Sequence, residues 1–186
     1  MRRGLGCSCL KHSSGDTMIF VLRLVHIISG VFWVGSVMFT ALLLAPTLRA
    51  LGPGAGPVMN QLVKVRKLPM VMMSSALLTM AAGIWLFMID MSLSQGAFMK
   101  SGSGMTFSIG AVFAILAFAV GMAVNLPASK RLAAIGTAVA ARGGPPTPEE
   151  QGELQRLNGR MSTASQIVMI LLVLATGAMA IARYVP

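Results

Sequence analysis

The chain has 186 residues, of which 55% are hydrophobic and 11% charged, and it carries a formal net charge of +10. That mix excludes an ordinary soluble domain, whose core needs a charged shell. It also argues against a nucleic-acid-binding face, because the Lys and Arg residues fall between apolar runs and read as topology signals and contacts to anionic lipid.

Residues 1–17 form a polar, basic tail with Arg2, Arg3 and Lys11, ending at Asp16, a suitable cap for a following helix. The tail is not a signal peptide, since the apolar run after it is of spanning length and has no cleavage site. Met18 stands immediately before that run, and a start there leaves residues 1–17 without a function. Cys7-x-Cys9-x-x-His12 offers two thiolates and an imidazole, but three ligands without a fourth are a weak signal for a soft metal. No disulfide framework is expected, and the 16 Met residues read first as soft apolar filler.

From Met18 on, one membrane domain (18–186) is expected, with spans at about 18–46, 69–90, 105–126 and 162–184. Each holds about 20 or more mostly apolar residues, and a helix pairs every backbone group within lipid. The first intervening loop carries Arg49, Lys64, Arg66 and Lys67; the third carries Lys130, Arg131, Arg142, Arg156 and Arg160. Lys100, Arg183 and Arg23 lie toward the other side, so the bias puts loops one and three in the cytoplasm and both termini outside.

The loop edges also read as helical. Ala128 to Arg142 has Leu132, Ile135 and Val139 at helical spacing and stops at Gly143-Gly144. Thr147-Pro148-Glu149-Glu150 is a capping box with Pro at the first helical position, so a helix starts there and runs into the fourth span. Glu149, Glu150 and Glu153 then complement the helix dipole. The expected fold is all-α, a four-helix membrane bundle built from two long helical hairpins, with Gly110/Ala114, Ala117/Gly121 and Ala178/Ala182 as close-approach positions.

One intramembrane group stands out. His26 is the only His within a span, and Gly30 and Trp33 share its helical face at the i, i+4, i+7 spacing. By depth it lies level with Ala82 to Trp85 in the second span and with Thr176 to Met179 in the fourth. A neutral imidazole there suits haem iron or copper, with a thioether from Met179 or Met80 as partner. The plainer reading is a hydrogen bond from His26 to a polar neighbour such as Thr176. Arg23, one turn earlier and opposite Asp90, either snorkels to the interface or meets a haem propionate. Met70, Met72 and Met73 at one end of the second span, and Met88, Met91, Met99 and Met105 around the middle loop, read as filler before they read as a Cu(I) ladder. No phosphate loop, Ser/His/Asp set or carboxylate array is present, so no catalytic residue is assigned.

The pattern Leu24-x-His26-Ile27-Ile28-x4-Trp33-x-Gly35, opening a four-span layout, resembles the bacterial CopD-like membrane proteins, which are linked to copper resistance or import. Its His-x6-Trp spacing is also similar to that of the HemJ-type protoporphyrinogen oxidases, small haem-b proteins of the membrane. The resemblance implies an inner-membrane protein with His26 as haem b or copper ligand and Trp33 as its companion. HemJ-type enzymes rely on a Lys in a later span, and spans two to four here hold none. The competing expectation is a cofactor-free accessory subunit of a larger membrane complex, or a homodimer.

Overall fold

The computed structural model of the protein describes residues 8–185, with side chains from Gly15 onward except that of Pro53. Cys7 and the side chains of Cys9 and His12 therefore lie outside the described residues. The first helix, α1, runs over Ser8–Phe39, so it begins well before Met18, and Asp16 sits inside it instead of capping it. Nothing between Ser8 and Thr17 is a proline, and a helix seeded in the apolar run extends outward residue by residue.

The first and third spans outrun their expected ends at 46 and 126. After α1 comes a π-helical turn, Thr40–Leu44, and then α2, Ala45–Leu51. Likewise α5, Gly102–Val120, passes through a π-helical turn, Gly121–Asn125, into α6, Leu126–Arg142. In both places a proline, Pro46 or Pro127, follows the widened turn. Inside a regular helix its ring would press on the carbonyl four residues back, and the extra residue of a π-turn relieves that clash. The first hairpin reverses through a break at Gly52, the short helix α3 (Ala55–Asn60), a π-turn and Lys67 in the left-handed region. Helix α4 then returns over Leu68–Leu93.

The second hairpin follows its sequence signals closely. Helix α6 stops at Arg142 with Gly143 at a φ of 66°, and α7 covers Pro148–Ile181 without interruption. Thr147 and Glu150 form both halves of the capping box, and Arg142 holds Glu150 from the facing helix, Nη1 to Oε1 at 2.9 Å. Beyond the apolar stretches, α6 and α7 project as a paired stalk about 20–25 Å long at 1.5 Å per residue. An apolar strip of Ala128, Ile135 and Leu157, flanked by Leu132, Val139 and Leu154, holds the pair together. Thr147→Ala removes the cap, worth about 1 kcal/mol. Amide exchange at Glu149 to Gln151 is expected to rise about fivefold while that of residues 162–181 stays unchanged.

The protein is thus all-α, with α1 on α4 and α5 on α7 as two antiparallel pairs. Where the pairs meet, Trp33 and Val37 of α1, Ala76 of α4, Ala117 of α5, and Val168 and Leu172 of α7 form one buried core. The Trp33 and Phe118 rings meet in a T-shaped arrangement, their centroids 6.4 Å apart. Small residues permit the second pair's close approach: Gly110 lies against Ala175, Ala178 and Met179, and Ala117 and Ala182 are fully buried. Outward, Phe20, Val31, Leu78, Ile109 and Ile170 are exposed, the surface of a protein whose solvent on that side is hydrocarbon.

Candidate functional site

His26, Ser29, Gly30 and Trp33 lie along the stripe of α1 that faces α4. His26 Nδ1 is 2.9 Å from the Thr79 carbonyl oxygen. A carbonyl only accepts, so Nδ1 carries the proton and donates it. That carbonyl already has a helical partner four residues on, the N–H of Gly83. Side chains in a helix lean toward its N-terminus, so a Cβ at position 83 would stand in front of the Thr79 carbonyl. Glycine leaves that approach open: a Cβ built there falls 2.7 Å from His26 Cε1 and 3.0 Å from Nδ1. The imidazole fills the space that Gly83 vacates.

A turn deeper, the Thr79 hydroxyl is 2.9 Å from Ser29 Oγ and 2.8 Å from the Ser75 carbonyl oxygen, its single proton shared between them. Ser29 in turn donates to the Val25 carbonyl at 2.6 Å. Ser29, Ser75 and Thr79 are all buried, and Gly30 lets the Thr79 methyl approach to ordinary van der Waals contact. Bonds of this kind between membrane helices contribute about 0.6–2 kcal/mol each. An apolar groove of about 440 Å³ flanks the cluster between α1 and α4, with Ser29 and Ser75 in its wall and Ile28, Phe32 and Leu78 around them.

The partner of His26 is thus Thr79, not Thr176, whose hydroxyl donates to the Leu172 carbonyl of its own helix at 2.8 Å. Gly83 lies within the stretch Ala82 to Trp85 that depth alone places level with His26. Met80 packs on the Trp33 core and Met179 against Gly110 in the α5/α7 pair. Arg23 is exposed and makes no ion pair with Asp90. Met70, Met88, Met99 and Met105 are exposed on the outer surface, as filler facing lipid would be.

The donor set sets terms for any cofactor. An imidazole held through Nδ1–H to a backbone carbonyl has Nε2 free as a ligand atom, the arrangement metal-bound histidines adopt. Nε2 has no hydrogen-bond partner and is not sealed in, being only part-buried. Among the described residues no three His, Cys, Asp or Glu side chains converge. A single imidazole fits a haem iron, or a soft copper ion completed by thioethers, and does not fit a hard cation that needs several carboxylates.

Four helices of this length and apolarity define an integral, multi-pass membrane protein of four-helix-bundle type, in contact with the lipid bilayer. No protein-family model matches the chain, and no curated protein or solved structure is significantly similar to it.

Proposed function

We propose that the protein is a bacterial inner-membrane protein of CopD-like character in which His26 ligates haem b or copper, in a redox or metal-handling role. The observation that carries this reading is the 2.9 Å bond from Nδ1 to the Thr79 carbonyl, which fixes the tautomer and leaves Nε2 without a hydrogen-bond partner. Thr79 and Gly83 position the ring, Trp33 anchors the same helix face in the core, and Arg23 stands exposed one turn away for an anionic substituent such as a propionate. Bound haem or copper supplies one-electron exchange. The basic residues crowd the hairpin-tip end, from Arg49 and Lys64 to Arg156 and Arg160, which supports tips in the cytoplasm and termini outside.

One observation favours a second reading, a cofactor-free accessory subunit of a larger complex or homodimer. His26 Nδ1 and the hydroxyls of Ser29, Ser75 and Thr79 all find their partners within their own hairpin, as in a purely structural polar clasp. An absorption spectrum of the detergent-purified protein, before and after dithionite, with metal analysis of the same sample, separates the two. The expected result is a Soret band that shifts on reduction, or stoichiometric copper. Either is lost in His26→Ala, with the size-exclusion profile unchanged. A featureless, copper-free preparation from cofactor-replete cells overturns the ligand role and leaves the accessory reading, to be pursued by co-purification.

A further inference from the structure

A cleft of about 270 Å³ opens between α6 and α7, far along the chain from His26, where the apolar stretch of the third span ends near Leu126 and that of the fourth begins near Ser162. Its floor is apolar, made by Val124, Pro127, Ala128 and Leu157. Its rim carries Arg131, Arg156 and Arg160, with Glu153 as the one carboxylate. Glu153 is engaged in a bidentate pair with Arg131, at 2.8 Å from Nε to Oε1 and 3.0 Å from Nη2 to Oε2. Arg156 and Arg160 are exposed and form no direct ion pair among the described residues, although the Glu153 carboxylate already held by Arg131 is also within electrostatic reach of Arg156. They stand one turn apart on the same face, and like charges so placed repel unless an anion lies between them. A further guanidinium reaches this level from the first hairpin, as Arg49 Nη2 donates to Ser162 Oγ at 2.6 Å.

Three features coincide here: two guanidinium groups with no direct ion pair, an apolar floor, and the depth at which helices leave hydrocarbon for the headgroup layer. Guanidinium groups match the paired oxygens of a phosphate. Basic pockets between membrane helices at this depth take up anionic headgroups. We propose that the cleft binds the phosphate of an anionic phospholipid headgroup, Arg156 and Arg160 holding its oxygens and the floor taking the glycerol and first acyl carbons. Free inorganic phosphate offers the same oxygens, but it leaves the Val124 and Leu157 floor facing a polar ion. The apolar half of the cleft therefore selects the lipid.

The test titrates the full chain in dodecylmaltoside with phosphatidylglycerol, with phosphatidylcholine of the same acyl chains, and with inorganic phosphate, following the thermal midpoint. Phosphatidylglycerol is expected to raise the midpoint and saturate at one lipid per chain, while phosphatidylcholine does not. Arg156→Gln/Arg160→Gln is expected to weaken binding about thirty-fold, each arginine near the surface contributing about fivefold. Arg183→Gln, at the opposite end of the bundle, leaves it unchanged. Native mass spectrometry of the unaltered chain gives an independent readout, with phosphatidylglycerol retained in preference to phosphatidylcholine. An equal response to the two lipids, or an equal loss in Arg183→Gln, overturns the site. A shift reproduced by inorganic phosphate alone overturns the lipid assignment and gives the cleft to a free anion.

Discussion

Gly104→Ala is expected to destabilise the protein by about 3 kcal/mol. Gly104 sits in the first turn of α5, where its N–H donates to the Ser101 hydroxyl at 3.1 Å and Ser101 donates to the Phe98 carbonyl at 2.7 Å. A Cβ on Gly104 would collide with the Phe98 carbonyl oxygen and fall 2.6 Å from its carbon. Those atoms are backbone and cannot swing aside, so the turn must move as a whole. Phe98 packs edge-on to Phe87 at 5.9 Å and stacks on Phe107 at 6.3 Å, so the shift carries into the contact between α4 and α5. Overpacking at the upper end of about 1–3 kcal/mol, plus about 1 for the lost cap, outweighs the gain of up to about 1 that alanine has over glycine in a helix. Thermal unfolding in detergent, read beside Ser101→Ala with its loss of about 1 kcal/mol, checks this. Equal midpoints for Gly104→Ala and the parent chain would refute the account.

The second large effect is a reversal of sign at Gly83. In the parent chain Gly83→Ala drives the imidazole from its niche and breaks the bond to the Thr79 carbonyl, a net loss of about 1–2 kcal/mol after the helix-propensity gain. With His26→Ala in place the niche is vacant, and the same substitution is expected to stabilise by up to about 1 kcal/mol. The coupling between the two positions is then about 2–3 kcal/mol, at the upper end for residues in direct contact. A double-mutant cycle on thermal midpoints measures it; additive effects would show that the ring does not occupy the niche. On the ligand reading, Gly83→Ala also moves Nε2 and displaces the Soret maximum, a change the accessory-subunit reading does not produce.

The spans, the capping box at Thr147 and the stop at Gly143 were all readable from the sequence, because each rests on local chemistry: apolar length, a side-chain cap, a left-handed glycine. The polar clasp was less so. Depth follows from counting residues at 1.5 Å each, and it puts His26 level with Gly83. Rotation about the helix axis does not follow from depth, so depth points to Thr176 where the structure has Thr79. The available signal was the set Ser29, Ser75 and Thr79, small hydroxyl residues at the same level in the two helices of one hairpin. The overrun past Pro46, and the unbroken join at Pro127 between the third span and the helix read over Ala128 to Arg142, were hidden for another reason. A π-turn has no composition of its own, and each one advances the helix face by one residue, so a uniform period misplaces every face beyond it.

The division of the bundle into two pairs bears on how the chain enters the bilayer. Each helix finds its main partner within its own hairpin, and the link from Ser94 to Ser101 is a short turn with a 3₁₀ segment at Ala97–Lys100. Each hairpin carries its own interhelical seal, hydroxyls in one and small residues in the other. Each can therefore settle in lipid as a unit during synthesis, leaving Trp33 and Phe118 to close the seam once both have arrived.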